Sequence, residues 1–160
     1  MAITIGATAP DFELPSNELT PEGKPGKKIR LREFRDQTNV ILAFYPLDFS
    51  PTCSGEVACF RNDLDAFRGL RAQVLGVSVD SHWAHAAFAR AEGLAFPLLA
   101  DFEPKGAVAR AYGLYEEARG FAKRASVIVD RAGKVAYVSD HGLATPRNNH
   151  DLLEVLRALG

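Results

Sequence analysis

The sequence predicts one α/β domain, a central sheet of mixed parallel and antiparallel strands flanked by helices. Three observations carry this reading. Two continuous apolar runs of strand length are each followed by a helical segment, two Val-rich segments flank a tight turn further on, and an amphipathic helix closes the chain. Strands alternating with helices and ended by a hairpin make a layered α/β sandwich.

In chain order, PSNELTPEGKPGKKI (Pro15 to Ile29) gathers Pro, Gly and Lys and predicts an exposed connection, with a short ordered segment from Ile29 to Phe34 after it. NVILAFYP (Asn39 to Pro46) is apolar without alternation, which predicts a strand buried on both faces. The next helix begins at Ser50-Pro51: a hydroxyl that caps, then a proline at the first helical position, where its missing N–H costs nothing. Val57, Phe60, Leu64 and Phe67 form its apolar stripe, and Gly69 supplies the stop. AQVLGVSVD (Ala72 to Asp80) predicts a second buried strand, and SHWAHAAFARAEG a helix ended by Gly93. Pro104 to Tyr112 predicts a shorter helix ended by Gly113, after FPLLAD (Phe96 to Asp101). Arg124 to Asp130 and Lys134 to Asp140 flank Arg131 to Gly133 as a hairpin. The last helix runs from about Asn149 to Leu159, with Leu152, Leu153, Val155, Leu156 and Leu159 apolar.

The composition narrows the function. A chain of 160 residues suits one domain spanning 1–160, and 47 % hydrophobic with 24 % charged residues is a folded, not a disordered, composition. A net charge of -1 without a basic stripe argues against a nucleic-acid partner. No segment approaches the ~20 apolar residues of a membrane span, so no membrane partner is expected. MAITIGATAPDF has no basic start, apolar run and cleavage site, and two cysteines cannot staple a domain of this size. The expected compartment is the cytoplasm, with both thiols reduced.

Those two thiols, Cys53 and Cys59, fit neither a CxxC redox pair nor zinc spacing. With Ser50 as cap, Cys53 falls in the first helical turn, near unpaired N–H groups and the positive end of the helix dipole, which favour thiolate. Position alone leaves two readings open: an activated nucleophile or a small packing residue. Ser50 reads first as a helix cap only, and otherwise as a hydroxyl turned toward the sulfur. Pro46 reads as loop punctuation or as a shield over a pocket. Glu56 suits the first turn on dipole grounds, and near a thiolate it serves better to orient an arginine. Cys59 is rotated by roughly 240° and advanced by about 9 Å from Cys53, so the Cα atoms lie roughly 10 Å apart. That exceeds the ~7 Å reach of a disulfide. Either Cys59 is inert, or the first turns unwind after Cys53 is oxidised.

His82 and His85 form HxxH on a predicted helix, but no close-spaced cysteine pair accompanies them, so no metal is expected. The four histidines lie in no context that resembles a cysteine-protease site. Glycines near Gly113 and Gly142 mark turns, and no phosphate-binding loop follows a strand, so no cofactor is expected.

Pro46, Ser50 and Cys53 fit PxxxSxxC, a variant of PxxxTxxC, within FYPLDFSPTC. The sequence resembles the peroxiredoxins, thiol peroxidases of the AhpC/TSA type on a thioredoxin-like fold. IGATAPDFEL, GVSVDS, FPLLAD and RASVIVDRAGKV extend the resemblance over nearly the whole chain. It implies that Cys53 is the peroxidatic thiolate, converted by a hydroperoxide to a sulfenic acid. It implies that Arg124 holds the thiolate and the polarised O–O bond, that Ser50 bonds both, and that Pro46 shields the sulfur. Without it, Arg124 at a strand start reads as a surface ion pair. The resemblance also implies a thiol reductant, either a thioredoxin-like protein or a low-molecular-weight thiol, and makes a homodimer the expected assembly.

Two features depart from the commonest pattern. Serine replaces threonine at position 50, and no cysteine follows Cys59, so the intersubunit resolving cysteine of the typical two-cysteine class is missing. The chain resembles both the alkyl hydroperoxide reductase E group and the bacterioferritin comigratory protein group, in which a second cysteine often lies in this helix one residue closer. A one-cysteine enzyme and resolution by Cys59 are both compatible with the spacing. Two alternatives use the same fold: a thiol-disulfide oxidoreductase, against which the missing CxxC weighs, and a non-enzymatic redox sensor.

Overall fold

The computed structural model describes residues 2–140 and 149–160. The chain opens with β1 (Glu13–Pro15), which pairs antiparallel with β2 (Lys28–Arg30), followed by a 3-10 turn over Leu31–Phe34. Then come β3 (Asn39–Phe44), α1 (Pro51–Gly69), β4 (Ala72–Ser78), α2 (His82–Glu92), β5 (Leu98–Ala100) and α3 (Ala107–Ala111). A small ribbon, β6 (Tyr115–Glu116) with β7 (Phe121–Ala122), leads into β8 (Ala125–Val129), β9 (Val135–Asp140) and α4 (Asn149–Leu159).

The central sheet has the order β5-β4-β3-β8-β9. β3, β4 and β5 run parallel, while β8 lies antiparallel to both β3 and β9, so the sheet is mixed as expected. β3 sits in the middle and all its residues are buried. Its side chains alternate between two cores. Val40, Leu42 and Phe44 join a cluster with α3, β1 and β2, and Ile41, Ala43 and Tyr45 join one with α1, α2 and α4. Each fully buried side chain of this kind contributes about 1.5–3 kcal/mol. Phe60, Phe67 and Phe88 add aromatic rings to the largely aliphatic second core. Gly76 in β4 admits a close approach, since a Cβ there would stand 2.6 Å from Leu98 Cδ2.

Several expectations are corrected in detail. Gly69 is the last residue of α1, but the left-handed reversal falls two residues later on Arg71 (φ 58), whose carbonyl receives the Asn39 N–H. The helix expected from Pro104 begins only at Ala107, because the Asp101 carboxylate accepts the N–H groups of Val108 and Ala109 and thereby sets the first turn. The Pro15 to Ile29 connection is the loop of the β1–β2 ribbon, whose strands take in Pro15 at one end and Lys28 and Ile29 at the other. Four short strands, β1, β5, β6 and β7, are absent from the sequence reading. Gly142, expected in a turn, lies outside the described residues.

Candidate active site

The site is assembled where the carboxyl end of β3 meets α1. After Phe44 the chain crosses Tyr45 and Pro46, both buried, and turns through Phe49 in the left-handed region (φ 68) before Ser50. Such a conformation for a bulky residue costs about 1–2 kcal/mol and persists only where its surroundings hold it. Ser50 has extended backbone and its Oγ accepts the Cys53 N–H at 3.4 Å, with Pro51 at the first helical position. Cys53 therefore occupies the first turn, as the Ser-Pro signal predicts, and its side chain is fully buried.

Arg124 comes from the residue before β8. Because β8 runs antiparallel to β3 with Ala125 opposite Phe44, Arg124 arrives at the same sheet end as the start of α1. Residue parity does the rest: Ala125 and Val127 face the α3 core and Ile128 the α1 core, so Arg124 faces α1. Its Nη1 lies 3.3 Å from Cys53 Sγ and also donates to Glu56 Oε1. Arg124 is 3 % exposed and Glu56 3 %. The ion pair read from sequence is thus present but buried, and it holds the guanidinium on the sulfur. Burial pulls the Arg124 pKa down, but hydrogen bonds to Glu56 and Cys53 outweigh it and leave the pKa above the ordinary arginine value. The cation beside Sγ therefore persists at every physiological pH.

Glu56 is one helical turn beyond Cys53 on the same face, consistent with the arginine-orienting reading. Cys59 is exposed on the opposite side of α1, and both cysteines are free thiols. Pro46 is buried between Tyr45 and Leu47 at the entry to the loop.

One polar cluster went unread in the sequence. Tyr45 Oη donates to Asp48 Oδ1 at 2.6 Å, and His85 Nδ1 meets Asp48 Oδ2 at 2.8 Å. His85 Nε2 stands 3.0 Å from the Leu99 carbonyl oxygen, and Asp80 Oδ2 accepts the Asp48 N–H and the Ser78 hydroxyl. Sequence reasoning weighed His85 with His82 as a metal pair and, among the four histidines, for a cysteine-protease site. In the structure His85 is buried in this cluster, whereas the His82 ring lies toward Gly26. Asp48, Asp80 and His85 place one ligand-type atom each within 4.8 Å of one another, but these atoms already bond one another or their neighbours. The one signal for it in the sequence is the polar residue inside FYPLDF, an Asp in an otherwise apolar loop, which drew no reading.

Comparison with known proteins agrees with this geometry. Residues 5–138 match the family model described as the AhpC/TSA family. Alkyl hydroperoxide reductase E of Mycobacterium bovis is 38 % identical over 135 residues, covering 84 % of this chain and 84 % of that protein. A chloroplastic 2-cysteine peroxiredoxin of Chattonella marina var. antiqua is 33 % identical, covering 99 % of this chain and 82 % of that one. Among solved structures, Mycobacterium tuberculosis AhpC superimposes with a TM-score of 0.87 at 30 % identity, over 99 % of this chain and 94 % of that one. Peroxidoxin BcpB from Mycobacterium tuberculosis gives 0.84 at 30 % identity, over 98 % and 97 %. These neighbours confirm the thioredoxin-like fold of the sheet and its flanking helices, and no helix among the described residues is long and apolar enough to cross a membrane. A buried thiol at a helix start, bonded by a distant arginine, thus sits in a chain that belongs to the AhpC/TSA family, the peroxiredoxins, which are thiol-dependent peroxidases.

Proposed function

We propose that Cys53 is the peroxidatic residue of a peroxidase acting on hydrogen peroxide and organic hydroperoxides. The observation that carries this is the bond from Arg124 Nη1 to Cys53 Sγ at 3.3 Å. The thiolate attacks the terminal peroxide oxygen, the O–O bond breaks, and the departing alkoxide or hydroxide takes up a proton as alcohol or water. Sulfur gives up two electrons, the peroxide gains them, and Cys53 becomes a sulfenic acid. Arg124 offsets charge as it develops on the breaking bond, in a site where burial strengthens the interaction. Ser50 bonds the reacting oxygen with its hydroxyl proton while its oxygen caps α1. Glu56 keeps Arg124 in place, and Pro46 shields the sulfur side of the loop without offering a competing N–H. Stopped-flow oxidation of Cys53 should greatly outpace that of a free thiol; equality with a free thiol would refute the assignment.

The second step returns the thiol. In this reading the first turns of α1 unwind, the Cys59 thiol attacks the sulfenic sulfur, an S–S bond forms and water leaves. Two equivalents of an external thiol, from a thioredoxin-like protein or a low-molecular-weight compound, then reduce the disulfide. The exposed position of Cys59 and its distance along the helix support unwinding as a requirement. Peptide mapping after one equivalent of peroxide should recover a Cys53–Cys59 disulfide; a lasting sulfenic or sulfinic Cys53 beside free Cys59 would leave resolution to the external thiol. The two free cysteines and the need for a thiol reductant suit the cytoplasm. A homodimer is the assembly proposed, on family grounds, and sedimentation equilibrium tests it.

A further inference from the structure

The mechanism above uses Cys53, Arg124, Ser50, Glu56 and Pro46, yet the most heavily hydrogen-bonded residue of the loop is Asp48. It lies between Pro46 and Ser50 and is 9 % exposed. Three bonds tie it to three separate parts of the sandwich. Tyr45 Oη, at the end of β3, donates to Oδ1 at 2.6 Å; His85 Nδ1, on α2, meets Oδ2 at 2.8 Å; and Asp80 Oδ2, beyond β4, accepts its N–H at 2.9 Å. His85 extends the chain of bonds to a fourth part through the Leu99 carbonyl of β5.

Proton inventory makes the arrangement specific. A carbonyl oxygen only accepts, so His85 carries its proton on Nε2. The 2.8 Å contact between Nδ1 and the Asp48 carboxylate then requires a second proton between those two groups. Tyr45 keeps its phenolic proton, because burial, the Asp48 charge and the bond to Asp48 together raise its pKa well above the ordinary tyrosine value. Every polar atom of this cluster named above is therefore matched with a partner of the opposite sense, as a buried network must be to rigidify rather than destabilise.

What the network holds is also visible. The next residue, Phe49, is left-handed at φ 68, with its ring packed edge-on against Phe88 at 5.0 Å between centroids. Ser50 follows at once, and its Oγ is the cap over Cys53 N–H. A strained residue stands between the anchor and the cap, so the cap keeps its place only while the anchor holds.

We propose that Asp48 and His85 are positioning residues of the thiol site, a buried latch that fixes the loop from Tyr45 to Ser50 and so aims Ser50 and the first turn of α1 at the Cys53 sulfur. No hydrogen bond joins either residue to Cys53. Both act through the loop, and the proposal rests on the peroxidase reading only for its effect on rate. It is a role in geometry rather than charge, because an amide at position 48 reproduces the bonds: its oxygen accepts from Tyr45 and its NH2 donates to the bare Nδ1 of a neutral His85.

The test compares Asp48→Ala, Asp48→Asn and His85→Phe in the full chain, by amide hydrogen exchange and by stopped-flow reaction with hydrogen peroxide. Asp48→Ala and His85→Phe should speed exchange of the Cys53 and Ser54 amides at least tenfold while leaving the β3 amides unchanged. Both should slow peroxide reaction by about ten- to a hundredfold, the range in which misplaced catalytic groups act. Asp48→Asn should stay within about threefold of the parent in both measurements. If His85→Phe fails to fold, the Asp48 pair carries the test. A folded Asp48→Ala with parent exchange and parent rate overturns the latch, and so does Asp48→Asn behaving like Asp48→Ala. A parent protein inert to peroxide would refute the peroxidase reading instead, and the exchange comparison would still decide the latch.

Discussion

Helices α1 and α2 begin in the same way. Each follows a parallel strand of the central sheet, each is capped by a serine with extended backbone, and in each the serine oxygen accepts the N–H of the third residue on, Cys53 in one and Ala84 in the other. The caps are similar, at 3.4 Å and 3.1 Å. Yet only the first start carries a site, because β8 delivers Arg124 to it and Glu56 holds that arginine against the sulfur. A helix start supplies dipole and N–H groups wherever it occurs. It becomes a thiol site when a distant cation arrives there.

That contrast can be broken by exchange. In the doubly substituted chain Cys53→Ser with Ala84→Cys, the thiol moves from one helix start to the other and peroxide turnover should be abolished, with stopped-flow rates at the level of a free thiol. Fast oxidation of that chain would show that a capped helix start suffices. Next in size, Arg124→Lys keeps a charge but loses the planar fork that reaches sulfur and carboxylate together. Its peroxide rate constant should fall by about 10²–10³, as for removal of one transition-state donor. Arg124→Ala should in addition lower stability to urea by roughly 3–5 kcal/mol, since it strands the buried Glu56 charge.

Smaller effects sharpen the comparison at the caps themselves. Ser50→Ala removes both the cap and the hydroxyl donor, so it should cost about 1 kcal/mol of stability. The lost bond to a charged centre should also lower the peroxide rate by about tenfold. Ser81→Ala should cost a similar ~1 kcal/mol in denaturant titration and leave the rate unchanged. Equal rate losses from the two serines would mean that Ser50 acts only through helix stability.

The sequence made some of this legible and hid the rest for physical reasons. Long elements showed themselves through burial and periodicity: β3 and β4 as unbroken apolar runs, α1 through its Ser-Pro start, α2 through its composition and Gly93 stop, α4 through its leucines. β6 and β7 are two residues each, too short to carry a period. α3 is set by a bond from Asp101 rather than by its own composition. At the site, Cys53 and Ser50 were readable because a helix start is local. Arg124 lies 71 positions from Cys53, and its role came from resemblance to a family rather than from anything beside it in the chain. The bond between Asp48 and His85 spans 37 positions and was not read at all. Pairings of that kind are decided by sheet order, which no local pattern records.

The antiparallel register of β8 on β3, with Ala125 opposite Phe44, also governs when the thiol acquires its chemistry. A slip of one residue would turn Arg124 to the other face of the sheet. A chain still emerging during synthesis, with β8 not yet made, carries Cys53 without its arginine. On the mechanism proposed above, the sulfur is armed by the closing of the sheet, and a nascent or half-folded chain should meet peroxide as an ordinary thiol.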